Sequence, residues 1–335
     1  MIEALRFEDK DLILQETLLK QAPGGSFSDS AGVYALTAGG SDRTFYRIKE
    51  GNRSLILLCD QGKEDFSAYI QIGQFLQKNH IPVPCIYGYD YHSQKALLED
   101  LGDETLFQKG LGRLSWKFYQ KVIDTLLGLQ GISSELIAGC PPIQKRVFDY
   151  KQLRWETRYF TRYFLIEYAR ISVEEGELEE GFHQLAASFA NEPLFLMHRD
   201  FQSQNILWKS GQPYLIDFQG SRLGIAAYDL ASLLNDCYLV LEESQRSSLI
   251  AYYLTRREQI LGIKQQIKDF QDVYLRAALQ RNMQALGAFS FLSLVKKKKQ
   301  FEQFIPAGIN YLRSNLAHYP TLKILEKKIR NLRLV

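Results

Sequence analysis

Cysteine is scarce. The chain of 335 residues has four, Cys59, Cys85, Cys140 and Cys237, scattered and with no C-x-x-C pair. That argues against structural zinc and against a disulfide framework, and it makes a reduced cytoplasm the default location. A strong charge of one sign is also lacking: 41 Lys+Arg against 38 Asp+Glu leaves +3, too little for the basic field of a nucleic-acid binder. No uninterrupted apolar run reaches the roughly 18 residues that a membrane span needs. Residues 1–21 mix Glu3, Arg6, Glu8, Asp9, Lys10 and Asp11 with apolar side chains, so no signal-peptide core is expected there. No nucleic-acid partner and no membrane association are therefore expected, and the oligomeric state is left open. What is present is globular. A chain 46% hydrophobic and 24% charged is not wholesale disordered, and its length exceeds one comfortable core, so two lobes are expected.

Residues 9–20 read as a short amphipathic helix that Pro23-Gly24-Gly25-Ser26 breaks. Strand-like pieces follow at 33–37, 44–48 and 54–59, the second and third joined across Glu50-Gly51-Asn52, a hairpin turn. Helical spacing runs over 66–78, and further strands are expected at 86–89 and 96–99. After Asp100-Leu101-Gly102 long helical patterns take over, at 115–131, 150–170, 178–190, 228–241, 245–260, 266–288 and 300–315, interrupted by a strand–turn–strand near 206–217. The expected division is a small sheet lobe, 1–101, and a larger, mostly helical lobe, 102–335. The run Lys296 to Lys299 reads as a solvated helix end or loop.

The chemistry sits in His198-Arg199-Asp200-Phe201-Gln202-Ser203-Gln204-Asn205, followed by Leu215-Ile216-Asp217-Phe218-Gln219. The first stretch fits H-R-D-x-x-x-x-N. In phosphoryl transfer the Asp of that motif accepts a hydroxyl proton, its Asn holds magnesium, and the Asp of the following D-F unit holds metal as well. An antiparallel hairpin between the two stretches, turning at Ser210-Gly211, brings Asn205 and Asp217 to the same end. An amide oxygen and a carboxylate are hard donors suited to magnesium rather than zinc. Asp200, on the preceding loop, then faces a hydroxyl. His198, among Phe195, Leu196, Met197 and Phe201, reads as a buried structural histidine rather than a base. Asp229 opens a helix, where a carboxylate suits the helix dipole. Gly39-Gly40-Ser41-Asp42-Arg43 lies between two expected strands; it is either a hairpin turn or a loop that folds over nucleotide phosphates. Trp155, Tyr159 and Tyr163 fall on one helix face and read as core packing, with a sugar platform as the alternative.

On these motifs the sequence resembles the aminoglycoside-phosphotransferase and choline-kinase superfamily, whose fold is bilobal, α+β and protein-kinase-like. Within it the sequence is most similar to the branch of anomeric N-acetylmuramate/N-acetylglucosamine kinases. The stretch 39–47 resembles that branch's phosphate loop and following strand, and Leu98-Glu99-Asp100-Leu101-Gly102-Asp103 resembles its hinge, where backbone groups at Glu99 and Leu101 would meet adenine. Residues 227–238 resemble its supporting helix, in which an acidic residue such as Asp229 braces the catalytic loop, with His198 and Arg199 as further support. Gln280-Arg281-Asn282-Met283-Gln284-Ala285-Leu286-Gly287 resembles a C-terminal helix of the branch.

The resemblance implies ATP and Mg2+, Asp200 as catalytic carboxylate, Asn205 and Asp217 as metal ligands, and a small-molecule acceptor such as a sugar hydroxyl. The span from Asp217 to Asp229 has no room for a long activation loop, which sets aside a protein kinase. Three departures stand out. The strand at 54–59 has no lysine, leaving Arg43 or Lys63 to supply the charge; Phe201-Gln202-Ser203-Gln204 replaces a Tyr-His-Ser-Arg pattern; and Gly220 follows where the sugar kinases carry an acid. The missing lysine leaves a non-catalytic nucleotide-binding regulator as one alternative. An aminoglycoside- or choline-type phosphotransferase is another, with Glu174, Glu175, Glu177, Glu179 and Glu180 as its one acid-rich stretch; that stretch reads more simply as an exposed helix face.

Overall fold

The computed structural model describes residues 20–25, 27–28, 30–36, 43–110, 116–330 and 332. The chain divides into two compact units. One runs to Glu104 and takes in Leu207–Gln219; the other is Thr105–Ile206 with the chain from Gly220 onward. The division thus falls after Glu104 rather than after Leu101, and the strand–turn–strand segment belongs with the sheet. Backbone bonds hold it there: Trp208 N donates to Glu104 O (2.7 Å) and Leu215 N to Pro82 O (2.8 Å).

The first unit is a five-stranded antiparallel sheet in the order β1-β2-β3-β5-β4, where β1 is Gly32–Leu36, β2 Thr44–Glu50, β3 Arg53–Cys59, β4 Ile86–Asp90 and β5 Lys95–Glu99. Val33 stands opposite Ile48, Ile48 opposite Leu55, and Leu57 opposite Leu97. These residues form one buried cluster, because alternate side chains share a face. Gly51, at φ +58°, makes the two-residue turn between β2 and β3. Helix α1, Lys63–Lys78, buries Phe66, Tyr69, Ile70, Gly73 and Leu76 along one stripe. The expected strands and helix of this unit all form. The helix expected at 9–20 lies almost wholly outside the described residues.

Gly73 decides how closely α1 approaches its neighbours. A Cβ there would lie 2.7 Å from Ile86 Cδ1 and 3.1 Å from Phe218 Cζ. Alanine would favour the helix by about 1 kcal/mol, but overpacking costs about 1–3 kcal/mol, and Phe218 is fully buried. Gly73→Ala is therefore expected to lower stability by about 1 kcal/mol in urea titration.

The second unit is mostly helical: α2 Trp116–Gln130, α3 Tyr150–Phe160, α4 Glu179–Ala187, α5 Ala226–Leu234, α6 Glu243–Leu261, α7 Ile267–Leu294, α8 Ile305–Leu316 and α9 Lys323–Arg330, with β6 Leu194–Met197 antiparallel to β9 Arg222–Ile225. Between these two strands lies the hairpin of β7, Ile206–Lys209, and β8, Gln212–Leu215. Two expected helices end early. The one read over 150–170 is α-helical only to Phe160 and continues as a π-helix, Thr161–Tyr168, where Ala169 N reaches back to Phe164 O at 2.8 Å. The one read over 228–241 stops at Leu234, because the next turn is recruited to the loop described below. Among the described residues no helix is long and apolar enough to cross a membrane.

Candidate active site

In the second unit, β6 delivers the chain to His198. The next residue, Arg199, takes a left-handed φ of +81°, costly for a side chain of this size and typical of functional loops. Asp229, fully buried at the start of α5, holds this turn. Its Oδ2 accepts from His198 N (2.6 Å) and its Oδ1 from Arg199 N (2.9 Å). Burial pushes Asp229 up to about 7, against the pull of these two N–H groups. A second carboxylate does the same one turn further along the loop. Asp236 accepts from Ser203 N (2.7 Å) and from Tyr238 N (2.8 Å), which is why α5 unwinds at Asn235. His198 is buried and lies edge-on to Phe201.

Between these anchors stands Asp200, its side chain 30% exposed. Burial would raise its carboxyl, but the guanidinium groups of Arg199 and Arg281 outweigh that and hold it below the ordinary carboxylate range. Arg281, on α7, comes within 4.0 Å of Asp200 Oδ1. It is fixed by Ser232 Oγ (2.9 Å) and Gln202 Oε1 (2.8 Å). Behind the loop, Glu156 on α3 is fully buried. It accepts from Tyr228 Oη (3.1 Å) and Gln280 Nε2 (3.1 Å) and lies 3.6 Å from Arg199 Nη2. Burial raises its carboxyl, and Arg199 opposes the rise. Asn205 Nδ2 donates to Asp200 O (3.0 Å), which leaves Oδ1 as the atom offered to a cation.

In the first unit, Asp217 also adopts a left-handed φ, +61°, and its Oδ1 accepts from Gln219 Nε2 (2.6 Å). Phe218 stacks on Tyr69 of α1 at 4.7 Å. The guanidinium of Arg43 also lies over the Tyr69 ring, 5.5 Å from its centre, and pairs with Asp60 at 2.7 Å. Burial pushes the Tyr69 phenol well up, while the Arg43 charge pulls it down and that of Asp217 pushes it further. Arg43, Tyr69 and Asp217 are thus one neighbourhood, and β3 beside them carries no lysine. Gly39, Gly40, Ser41 and Asp42 lie outside the described residues.

At the expected hinge, Glu99 N is taken by Cys85 O (2.8 Å), and Lys209 Nζ binds Glu99 Oε1 (2.7 Å) and Asp100 O (3.0 Å). Leu101 is buried. Asp100 pairs with Arg47 at 2.7 Å. Burial alone would raise its carboxyl, but Ser54 and Arg47 bring it below the ordinary range.

Sequence reading missed Glu156, Asp236 and Arg281 as parts of this arrangement. Asp236 had a signal, a second acid in the same expected helix seven residues after Asp229, and Arg281 stood in the stretch 280–287 that the resemblance singled out; Glu156 had none, being a charged residue inside a helical pattern. Glu174, Glu175, Glu179 and Glu180 of the acid-rich stretch are exposed; within it Glu177 pairs with Lys328 (2.9 Å) and Glu179 with Arg154. The aromatic stripe is not core packing throughout. Trp155 is 47% exposed and stacks on Tyr159, which in turn meets Tyr163 and Phe291. Among the described residues no three His, Cys, Asp or Glu side chains gather as a metal site.

A family model described as "Phosphotransferase enzyme family" matches residues 33–263. An N-acetylmuramate/N-acetylglucosamine kinase of Pseudomonas aeruginosa is 23% identical over 99% of this chain and 98% of its own. One of Neisseria meningitidis is 26% identical over 84% of each. Among solved structures, a choline kinase from Cryptosporidium parvum superposes with a TM-score of 0.66 at 16% identity, covering 96% of this chain and 100% of that one. An aminoglycoside phosphotransferase described as putative, from Ralstonia eutropha, gives 0.63 at 12% identity, covering 92% and 95%. At these identities the structures speak to the fold alone, which is protein-kinase-like.

Proposed function

The chain belongs to the phosphotransferase enzyme family, and from that premise we propose that it transfers the γ-phosphoryl group of ATP to a sugar hydroxyl, the anomeric hydroxyl of an N-acetylhexosamine being the leading acceptor. The observation that carries the reading is Asp200: a partly exposed, ionised carboxylate on a loop braced by Asp229 and Asp236. The sugar comes from the names of the relatives that align along most of the chain.

Asp200 orients the acceptor hydroxyl and takes its proton as the sugar oxygen bonds to the γ-phosphorus. The bond from that phosphorus to the bridging oxygen breaks, and ADP leaves with the electron pair. A carboxylate held below its ordinary range is a weak resting base, so orientation is its main contribution, and the proton moves late. An anomeric hydroxyl, more acidic than an ordinary alcohol, suits such a partner. Asn205 and Asp217, at the two ends of the hairpin, are the proposed magnesium ligands; their amide and carboxylate oxygens fit a hard cation. Magnesium, when bound, would neutralise charge on the nucleotide phosphates. Arg43 takes the place of the missing strand lysine, supported by its neighbourhood with Tyr69 and Asp217. Glu99 and Leu101 are proposed to border the adenine. Positioning and charge neutralisation supply most of the rate.

The test offers the protein ATP and magnesium with N-acetylglucosamine, choline or kanamycin, and phosphorus NMR identifies the product. A sugar phosphate is expected, with no phosphorylation of the other two. Turnover of choline or kanamycin instead would move the chain to another acceptor class. ATP binding without turnover would leave a regulator.

A further inference from the structure

Two features that the reaction leaves unused meet on one face of the second unit. The first is the aromatic stripe of α3 and its π-helical continuation. Trp155 stacks on Tyr159 with ring centres 5.0 Å apart, and Tyr159 meets Tyr163 at 4.8 Å. Phe291 of α7 lies 5.8 Å from Tyr159 and 5.0 Å from Tyr163. The second feature is the lysine run, Lys296 to Lys299, which begins where α7 ends. Val295 N and Lys296 N both reach back to Phe291 O, at 2.8 and 3.3 Å. Phe291 therefore joins the two. They meet because α3 and α7 lie side by side in the same direction. Gln280 Nε2 donates to Leu153 O at one end, and Gly287 abuts Tyr159 and Phe160 further along, so the end of α7 arrives beside the π-helix.

This face is apolar at its centre and cationic at its edges. Trp155 and Val295, one turn beyond Phe291, are 47% and 49% exposed. Lys151, Trp155, Arg158 and Arg162 follow one another at intervals of four, three and four residues, so they share one side of the helix. The three cations among them are exposed, as are Lys296 and Lys297. Arg162 also lies over the Tyr163 ring, 4.9 Å from its centre. Lys297 takes a left-handed φ of +58° and its Nζ donates to Leu294 O at 2.7 Å, which turns the run across the end of α7. Two carboxylates temper the charge: Glu167 pairs with Arg162 (3.1 Å) and Glu302 with Lys299 (2.8 Å). In a chain whose net charge is only +3, the positive groups are gathered around the one exposed aromatic stack of this helix. Apolar area left in water and ringed by charges of one sign fits a partner that is apolar within and anionic at its surface.

We propose that this face docks the chain reversibly on an anionic lipid surface, Trp155 and Val295 entering the boundary between headgroups and acyl chains while Arg158, Lys296 and Lys297 meet the lipid phosphates. Trp and Tyr rings, apolar with a polar tip, suit that boundary. Cations beside them are drawn to anionic headgroups, and an amphipathic helix lies in the plane of the interface without spanning it. A second copy of the chain is a poorer occupant, because two like faces would bring their cations together. RNA would meet the cations and stack on Trp155, but it leaves the aliphatic Val295 in water. The inference is independent of which acceptor the chain phosphorylates.

The experiment is co-sedimentation of the full chain with vesicles of phosphatidylcholine alone or of an equimolar mixture of phosphatidylcholine and phosphatidylglycerol. Binding to the mixed vesicles is expected to be at least about tenfold tighter and to weaken as salt is raised. Trp155→Ser is expected to weaken it about tenfold. Arg158→Gln combined with Lys296→Gln and Lys297→Gln is expected to do the same and to flatten the salt dependence. All four positions are exposed, and melting temperatures check that the variants fold. A measurement on the unaltered chain stands beside them: brominated phosphatidylcholine in the mixed vesicles is expected to quench tryptophan emission. Failure to sediment with the mixed vesicles at low salt would overturn the proposal. So would equal binding to phosphatidylcholine alone, or binding that neither variant weakens. Poly(U) RNA that binds more tightly than the mixed vesicles and strips the chain from them would give the face to nucleic acid. A dimer in sedimentation velocity that Trp155→Ser dissolves would give it to a second copy.

Discussion

Asp200→Asn is expected to lower kcat by about 10²–10⁴-fold, the range that loss of a positioned acid–base group produces, with the KM for ATP little changed. Asparagine keeps the shape of the side chain but cannot take the hydroxyl proton. It also removes the negative charge that Arg199 and Arg281 converge on. Because the carboxylate is 30% exposed and only part of its environment depends on it, the melting temperature is expected to stay close to that of the wild type. Steady-state kinetics with the preferred sugar, with circular dichroism as the folding control, checks this. Turnover within tenfold of the wild type would remove Asp200 from its assigned place. It would also exclude it as the group whose geometry the rest of the loop serves.

The second large effect is expected at Asp229. Asp229→Ala leaves the backbone N–H groups of His198 and Arg199 without their acceptor in a buried place. One unsatisfied buried donor costs about 1–3 kcal/mol, so a loss of about 2–5 kcal/mol is expected in urea unfolding. The left-handed turn at Arg199 also loses what holds it, so kcat should fall at least a hundredfold even where the variant is folded. A stable variant with unimpaired kcat would show that the loop keeps its shape without this brace.

The same residue has a pH signature. Burial raises its carboxyl from the ordinary 3.8 to about 7. Between these values the folded chain keeps a proton that the unfolded chain has released. The folded state then binds more protons than the unfolded one, so this group's contribution to stability falls as pH rises from about 4 to about 7 and is level above. At about 1.4 kcal/mol per pH unit, the contribution is about 4 kcal/mol across the window. Asp229→Asn cannot titrate. The stability difference between wild type and Asp229→Asn, from urea midpoints at pH 4.5 and 7.5, should therefore shrink or change sign as pH rises. A difference independent of pH would mean that the carboxylate titrates near its ordinary value.

The strands of the first unit were legible as short apolar runs bounded by turn residues, Gly51 among them; in β3 and β5 consecutive side chains are buried, so no period of two was needed. The loop chemistry was legible because His198 to Asn205 and Asp217-Phe218 lie close together in sequence, so their types and spacing survive without any knowledge of packing. The partners that make that loop work were not. Asp236 read as the continuation of a helix, since nothing local says that Ser203 N, some thirty residues earlier, claims its carboxylate. Glu156 read as an ordinary charged position, and Arg281 only as part of a stretch that resembles a helix of the branch, since helical periodicity cannot say which charged residue the fold will bury or where it will point. The break of the 150–170 helix into a π-helical end was invisible for the same reason: the side chains suit either winding.

By itself, then, the sequence determined the location of the strands, the two hairpins and the residues proposed for the reaction, because each depends on near neighbours in the chain. Tertiary structure alone decided which unit keeps the 207–219 hairpin, which carboxylates brace the loop, and which guanidinium stands beside Asp200. Those choices join residues 31 to 133 positions apart, and burial, by making an unpartnered charge or N–H costly, favours bringing them together.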